Sequence, residues 1–344
     1  MKAVVKAQAG YDNVELQNIQ EPSPGPQQVK IKVAYTGICG SDIHTFKGEY
    51  NSDNLPVVLG HEFSGEVVEV GEGVKNLKIG DRVTSETTYE VCGHCRYCLE
   101  KDYNLCSNRK GIGTQVNGSM AEYVISREES CHVLPDNVSY KAASLMEPLS
   151  CCTHALMEKT HISANDTVLI VGPGPIGLLA AQVALAEGAT VILSGITNDA
   201  HRLKFAKEEL GVDYIVDTQA EDLNEVVLGL TDGYGVDRVI ECSGSSIAAN
   251  QALKLTAKKG TFVQVGLFPT SEVAIDMESV IQREIEVVGS RSQKPSSWEK
   301  SLKLLERGKV DTEKLITHEY SLDEWRQGFE KVMDGSAIKV VLKS

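Results

Sequence analysis

The sequence has no excess of basic residues, and we expect no leader of the secretory type. Its 344 residues include 34 Lys and Arg against 48 Asp and Glu, which gives a formal net charge of −14. A chain this acidic repels phosphate backbones, so we expect no nucleic-acid partner. Because the opening MKAVVKAQAG contains no apolar stretch of the signal-peptide kind, we expect a cytoplasmic protein. The length and the 42% hydrophobic content suit two buried domains.

An uninterrupted membrane-spanning run is also lacking. Residues 168–186 come nearest, with Gln182 as their one polar side chain. Two glycines and two prolines fall at 172–175, and such residues break helices. The segment therefore predicts a buried strand, a tight turn and a buried helix, and we expect no membrane partner.

The cysteines do not suit a disulfide framework, since nine is an odd number and the chain is long. Metal or thiol chemistry in a reducing compartment is the better expectation. Four of them follow a C-x2-C-x2-C-x7-C pattern, at Cys92, Cys95, Cys98 and Cys106. Four thiolates on one short loop predict a closed, structural zinc site. An iron–sulfur cluster, which also takes four cysteines, is the open alternative.

The pattern of strands and helices changes near residue 165. Residues 1–150 hold short alternating runs separated by Gly/Pro turns, which is typical of a β-rich, barrel-like region. After it, strands alternate with helices, which predicts a parallel sheet. The predicted elements are strands at 167–171, 191–193, 214–216, 237–242 and 260–265, with helices ending at 187 and near 201–210 and 247–257.

The last stretch predicts two helices and a closing strand. One helix lies near 298–306, and a second begins at Ser321, where Glu324 completes a capping box. The strand at 338–342 could pair back onto the first domain, which would make that domain discontinuous.

A glycine turn predicts a dinucleotide site. The series Gly172, Pro173, Gly174, Pro175, Ile176 and Gly177 fits G-x-G-x-x-G between a strand and an apolar helix. These glycines permit a tight turn and close approach of a pyrophosphate, which the N–H groups of the helix N-terminus then bind.

The choice between NAD and NADP stays open. The acidic residue that usually binds the ribose is missing from the end of the second strand, where Gly195 and Thr197 stand, and the first carboxylate is Asp199. His201 and Arg202 could reach a 2′-phosphate, so we expect NADP to be accepted, beside NAD. Alternatively, Asp199 takes the usual acidic role and Arg202 is a surface charge.

A second metal site is predicted from residues far apart in the chain. Cys39 follows a strand, His61 and Glu62 follow a glycine, and Glu147 precedes a proline. A thiolate, an imidazole and a carboxylate suit a catalytic zinc with room for substrate. No single fragment decides this, because a lone histidine is more often structural.

These motifs occur together in one order. They are Gly37–His44 (GICGSDIH), Gly60–Gly65 (GHEFSG), the four-cysteine lobe, Glu147-Pro148-Leu149 and Gly172–Gly177. The set resembles the zinc-dependent medium-chain alcohol dehydrogenases, and the glutamate at 147 resembles their polyol (sorbitol-type) and threonine dehydrogenase branch.

The resemblance implies an α/β protein with two domains. A GroES-like, β-rich catalytic domain would take residues 1–150 and 290–344, with a zinc lobe at 90–110. A Rossmann domain with a doubly wound parallel sheet would take residues 151–289. It also implies a homo-oligomer, a tetramer or a dimer.

Roles follow by position. Cys39 and His61 would hold the catalytic zinc, Glu147 would be a third ligand or a close carboxylate, and Glu62 would lie beside the metal. Ser41 and His44 match proton-relay positions. The resemblance also implies residues that would face the nicotinamide, substrate or cofactor. They are Ser243, Gly244, Val265, Gly266 and Arg291.

The implied reaction interconverts a secondary alcohol and a ketone. The substrate would be a polyol or polyol phosphate and the product its ketose; threonine or another small secondary alcohol is the alternative. Two other classes are a non-enzymatic nucleotide-binding protein and a zinc-ribbon nucleic-acid binder. The Cys39, His61 and Glu147 set opposes the first, and the net charge opposes the second.

Overall fold

The chain divides into two compact units in a computed structural model that describes residues 1–49 and 54–344. The first unit contains Met1–Glu147, Gln293–Glu306 and Thr312–Ser344. The second contains Pro148–Ser292 and Arg307–Asp311. Among the described residues, no helix combines the length and the apolar character needed to cross a bilayer.

Short strands dominate the first 147 residues. The strands are β1 Lys2–Lys6, β2 Val14–Asn18, β3 Gln28–Gly37, β4 Val57–Val58, β5 Glu62–Val70, β6 Arg82–Ser85, β7 Thr88–Glu90, β8 Lys110–Gly111, β9 Tyr123–Arg127 and β10 Cys131–Val133. The helices are α1 Gly40–Lys47, α2 Arg96–Leu99 and α3 Tyr140–Ala143, and α4 Met146–His154 begins at the end of this stretch.

Strands and helices alternate in the second unit. The strands are β11 Thr167–Val171, β12 Thr190–Gly195, β13 Tyr214–Asp217, β14 Val236–Glu241, β15 Thr256–Gln264 and β16 Glu286–Gly289. The helices are α5 Pro175–Ala186, α6 Ala200–Glu209, α7 Leu223–Leu230, α8 Ser246–Leu255 and α9 Met277–Arg283. The C-terminal part of the first unit then adds α10 Pro295–Glu306, β17 Ile316–Ser321, α11 Trp325–Met333 and β18 Lys339–Lys343.

The long strand β3 organises the first unit. Val29, Ile31 and Val33 alternate along it and are buried, as expected of a strand with one face in a core. The main sheet runs in the order β10-β6-β5-β3-β18-β17, and β9 also pairs with β3. Because β18 pairs antiparallel with the end of β3, the last strand of the chain returns to the first unit, as the sequence predicts.

The second unit is a doubly wound parallel sheet. Its strand order is β13-β12-β11-β14-β15-β16, so the order reverses between β11 and β14. Ligands of such sheets bind outside the carboxyl ends of the strands at this reversal. Val168, Leu169 and Ile170 are fully buried, which explains why β11 is an unbroken apolar run. The predicted strand, turn and helix over 168–186 are confirmed as β11 and α5.

Some elements were not predicted from the sequence. Helices α7 and α9 and strands β16 and β17 are additional. The capping box is present, since the Ser321 N–H donates to Glu324 at 3.0 Å. It caps a 3₁₀ turn over Leu322–Glu324, however, and the α-helix begins at Trp325 instead of Ser321.

We expect Phe329→Ala to destabilise the first unit. The ring is fully buried and lies 5.2 Å from the Trp325 ring and 5.8 Å from the Phe46 ring, between centroids. Its loss should lower the free energy of unfolding by about 3–5 kcal/mol, measured by urea denaturation. Met333→Ala, in the same helix but 36% exposed, is the control and should change it by less than about 0.5 kcal/mol. Equal effects would contradict the packing described for α11.

Candidate metal centres and dinucleotide site

Three of the predicted metal ligands converge in the first unit. The side-chain donor atoms of Cys39, His61 and Glu62 all lie within 4.8 Å of one another. The register of β3 and β5, which pairs Gly37 with Glu62, explains the convergence. Cys39 comes two residues after β3 and caps the N-terminus of α1, while His61 directly precedes β5.

Asp42 fixes the two segments that carry these ligands, and sequence reasoning missed it. One carboxylate oxygen accepts the Cys39 N–H at 2.9 Å, and the other accepts the Gly60 N–H at 3.2 Å. The second oxygen also lies 3.9 Å from Nδ1 of His61. An acidic residue three positions after an N-cap was the available signal, because such a residue often accepts the N-cap N–H.

The donor set fits a zinc ion. Nδ1 of His61 is buried and makes no hydrogen bond, so the ring offers a nitrogen to a cation. Burial alone would lower the pKa of His61, but its hydrogen bond with Cys39 and the charges of Cys39, Asp42 and Glu147 raise the pKa well above its ordinary value. Surroundings that favour a proton on this ring also favour a bound cation, and sulfur, nitrogen and oxygen donors are those of zinc.

Lys339 neutralises Glu62 inside the protein. Its Nζ lies 2.8 Å and 2.6 Å from the two Glu62 carboxylate oxygens and donates to the Ile38 carbonyl at 2.9 Å. Burial alone would lower the pKa of Lys339, but the charges of Glu62 and Cys39 raise it. The first residue of β18 is therefore a buried cation beside the donor cluster, which sequence reasoning also missed.

Glu147 lies near the cluster but outside it. It is buried at the start of α4, and its charge acts on His61. Among the residues that the structure describes, the group of three mutually close donors does not include Glu147.

The two predicted proton-relay residues share one face of α1. Ser41 and His44 are three positions apart, so their side chains lie on the same side of the helix. Ser41 is half-buried, whereas His44 is 61% exposed and pairs with Glu49 at 2.7 Å through Nδ1. The pair therefore leads from a partly enclosed hydroxyl to a ring in water.

The four lobe cysteines form a second cluster of donors. Their sulfur atoms lie within 4.8 Å of one another, with Cys92–Cys98 at 3.8 Å, Cys92–Cys106 at 3.8 Å and Cys95–Cys98 at 3.5 Å. A tetrahedron with zinc–sulfur bonds of about 2.3 Å has sulfur–sulfur edges of about 3.8 Å. These spacings therefore fit a four-coordinate zinc ion with no open position.

The thiols of this lobe differ in acidity. Hydrogen bonds from the backbone N–H groups of His94 and Cys95 lower the pKa of Cys92 to about 6. Desolvation and the neighbouring sulfurs raise the pKa of Cys98 to about 12. Ionising all four thiols together requires a cation among them, which a metal supplies.

The glycine turn has the geometry of a dinucleotide cradle. Gly172 adopts φ = +93°, and a Cβ on Gly177 would lie 1.9 Å from the Gly172 carbonyl oxygen. Gly174 caps α5, Pro175 is its first residue, and Ile176 follows. A Cβ on Gly174 would meet nothing within 4 Å, so open space adjoins the helix N-terminus. The turn fits a bound pyrophosphate.

The end of β12 carries the groups that bear on NAD or NADP. Thr197 donates its hydroxyl to Asp217 at 2.8 Å, and a guanidinium nitrogen of Arg202 lies 3.8 Å from Asp199. A Cβ on Gly195 would lie 3.3 Å from Cβ of Asp199. Carboxylates and a guanidinium thus lie together at the end of β12, an arrangement compatible with NAD and with NADP.

The residues expected to face the nicotinamide lie together at the carboxyl ends of adjacent strands. Ser243 and Gly244 follow β14, whereas Val265 and Gly266 follow β15. Arg291 is exposed two residues beyond β16, the next strand of the sheet. These loops lie at the same edge of the sheet as the glycine turn.

Two family models match the chain. Residues 25–136 match the alcohol dehydrogenase GroES-like domain, and residues 175–307 match the zinc-binding dehydrogenase family.

Relatives match over nearly the full length. A D-arabitol-phosphate dehydrogenase of Enterococcus avium is 57% identical, covering 100% of this chain and 97% of the relative. A sorbitol dehydrogenase of Halalkalibacterium halodurans is 56% identical, covering 99% of each. An L-threonine 3-dehydrogenase of Pyrococcus horikoshii is 35% identical, covering 99% of this chain and 98% of the relative.

A solved structure agrees with this assignment. A protein from Sinorhizobium meliloti, described as a zinc-binding dehydrogenase and solved with NADP, matches with a TM-score of 0.92 at 35% identity, covering 100% of this chain and 99% of that one. The predicted fold class and the polyol/threonine branch are confirmed. The chain belongs to the zinc-binding dehydrogenases, and it is an enzyme whose cofactors are zinc and NAD or NADP.

Proposed function

We propose that this enzyme oxidises one secondary alcohol of a polyol or polyol phosphate to the ketose, and catalyses the reverse reduction. The observation that carries the proposal is the convergence of Cys39, His61 and Glu62 in a chain whose 56–57% identical relatives are named for sorbitol and D-arabitol phosphate. We assign residues 1–150 and 290–344 to the catalytic domain and residues 151–289 to dinucleotide binding.

Cys39 and His61 hold the catalytic zinc, and Glu147 completes the shell as a ligand or as a carboxylate close to it. Glu62 stands beside the metal and is held by Lys339. When bound there, zinc would supply Lewis-acid polarisation of the substrate hydroxyl, and the nicotinamide would supply the hydride acceptor. Asp42 keeps the Cys39 and Gly60 segments in place, which preserves the donor spacing.

Ser41 and His44 carry the released proton to solvent. The Ser41 hydroxyl can both accept and donate a proton, and His44 continues the same face of α1 towards water. Glu49 is paired with Nδ1 of His44 at 2.7 Å at the outer end of this route. A positioned shuttle of this kind contributes about 10²–10⁴-fold to the rate.

The second unit binds the dinucleotide at the edge formed by β11, β12, β14 and β15. The glycine turn and the α5 N-terminus take the pyrophosphate. The residues at the end of β12 would hold the ribose and any 2′-phosphate, and the loops after β14 and β15 would face the nicotinamide. Residues at the β12 end are Gly195, Thr197, Asp199 and Arg202.

A phosphate group on the substrate would need cationic side chains to bind it, and Arg109 and Lys110 are two candidates in the first unit. Lys110 pairs with Glu90 at 2.7 Å, and Arg109 donates to the Thr87 and Thr88 hydroxyls at 2.6 and 3.1 Å. Both cations thus already have partners within the first unit. Since the named relatives include a polyol phosphate enzyme and a free polyol enzyme, the proposal keeps both substrates.

The threonine alternative has less support, because the threonine dehydrogenase is 35% identical and the polyol enzymes are 56–57% identical. Residence in the cytoplasm and assembly into a dimer or tetramer stay predictions. We propose a structural role for the four-cysteine zinc site, because zinc lobes of this type serve structural roles in other proteins.

A substrate panel tests the proposed function. Each candidate substrate would be assayed with NAD and with NADP, and the reaction would be followed by the absorbance of the reduced nicotinamide at about 340 nm. The candidates are sorbitol, arabitol, galactitol, their phosphates and L-threonine. We expect the largest kcat/KM with a polyol or polyol phosphate, and turnover with NADP as well as NAD. Preference for threonine would contradict the substrate proposal, and a large preference for NAD would assign the ribose role to Asp199.

Replacing a ligand of the catalytic zinc should separate chemistry from cofactor binding. In Cys39→Ala or His61→Ala we expect loss of turnover and a fall from about two zinc ions per chain to about one, since one of two sites is disrupted. Dinucleotide affinity should persist, because these residues lie outside the second unit. Zinc would be counted by mass spectrometry, and full activity in either variant would contradict the assignment.

Replacing a lobe cysteine should act on stability. Cys95→Ala opens the four-sulfur cluster, so we expect loss of about one zinc ion and a lower melting temperature, because metal binding in such lobes stabilises the fold. Cys131→Ala is the matched control, as this thiol lies outside both donor clusters. An unchanged melting temperature and zinc content in Cys95→Ala would contradict a structural zinc site.

A further inference from the structure

We propose that Glu241 is a positioning residue for the nicotinamide end of the dinucleotide. It holds together two backbone loops: the first is residues 243–245, between β14 and α8, and the second is residues 264–267, which begins at the last residue of β15. The inference rests on the proposed dinucleotide site and extends it to a buried acidic residue that the sequence motifs do not mark.

Glu241 lies where the sheet changes direction. It is the last residue of β14, it pairs in register with Val171 of β11, and it is fully buried. The strand order reverses between these two strands, and ligands of doubly wound sheets bind at that point. A carboxylate buried here costs free energy unless it is hydrogen-bonded.

The carboxylate joins the two loops directly. From the first loop it accepts the Ser243 N–H at 2.9 Å, the Gly244 N–H at 3.0 Å and the Ser243 hydroxyl. From the second loop it accepts the Gln264 side-chain amide at 2.6 Å, and the same amide donates to the Gly266 carbonyl at 2.7 Å. One side chain therefore sets the spacing of both loops.

This position requires a group that only accepts hydrogen bonds. All four of these donors are neutral, and an ionised carboxylate offers two oxygens with enough lone pairs to receive them. A glutamine has nearly the same shape, but its –NH₂ would face at least one donor. That donor would lose its partner and the loop would shift to recover one.

The loops have little room to shift without disturbing the cradle. A Cβ on Gly266 would lie 2.5 Å from the Gly244 nitrogen and 2.7 Å from a Glu241 oxygen. A Cβ on Gly172, the first glycine of the turn, would lie 2.9 Å from Cβ of Ser243. Displacement of the first loop would therefore alter the surface on which the nicotinamide ring rests.

The test compares two ligands that differ at the nicotinamide. Full-length Glu241→Gln would be titrated with the reduced dinucleotide that the wild type binds more tightly, NADH or NADPH, and with ADP-ribose, which lacks the nicotinamide. We expect the Kd of the reduced dinucleotide to rise about tenfold or more, with the Kd of ADP-ribose and the zinc content unchanged. A merely structural role would weaken both ligands together.

Two further variants keep the test decisive. Asp237→Asn changes an acid at the opposite end of β14, where the carboxylate accepts the Thr167 N–H at 2.8 Å, and it should alter neither Kd. Gln264→Met removes one donor at constant length and should weaken the reduced dinucleotide selectively, by less than Glu241→Gln does. This variant decides the matter if Glu241→Gln does not fold.

Equal losses for both ligands, or no loss for either, would overturn the positioning role of Glu241. If the wild type bound ADP-ribose and neither reduced dinucleotide, the proposed function itself would fail, and the two failures are thus distinguishable.

Discussion

The antiparallel pairing of β3 with β5 is the constraint on which the first unit depends. Its register sets Gly37 opposite Glu62, and so places Cys39 and His61 just beyond the paired region. Slipping an antiparallel register by one residue turns every side chain to the other face. The alternating core residues of β3 lock the register, because a slip would expose them to water. Burial of ordinary valines and isoleucines thus determines the spacing of the metal donors.

That spacing brings acidic groups close together, and the chain's own positive charge balances them only in part. Asp42 and Glu62 are buried acidic groups beside the half-buried Cys39 thiol, in surroundings where separated charges are costly. Lys339 supplies one positive charge, carried there by the return of β18 onto β3. The raised pKa of His61 shows that the surroundings still favour additional positive charge. A divalent cation meets this requirement better than a proton does, since it can bind sulfur and nitrogen donors together.

Most features that depend on a local pattern of residues could be predicted from the sequence. The four-cysteine spacing, the glycine turn and the continuous apolar run of β11 each report a local requirement, and each appears where expected. Lys339 was missed because its partner Glu62 lies in a distant segment. Asp42 and Glu241 each join a nearby segment to a distant one, through Gly60 and Gln264 respectively, and a single acidic residue gives no sign of the distant contact. Strand β16 was missed for another reason: it is short and largely exposed, so it lacks the alternation that identifies an amphipathic strand. Helix α7 buries Leu223 and Val227 at helical spacing, but its eight residues are too few for a sustained period.

Glu62 and Glu241 show different solutions to the burial of a negative charge. Glu62 is balanced by an ammonium group, so its energy depends on the charges around it and responds to a metal placed nearby. Glu241 is balanced by hydrogen bonds from neutral donors, which are directional and fix geometry more than they fix charge. The first arrangement suits a site whose net charge must change during a reaction that releases a proton. The second suits a site that must keep its shape while a cofactor enters and leaves, because directional hydrogen bonds hold both loops in place.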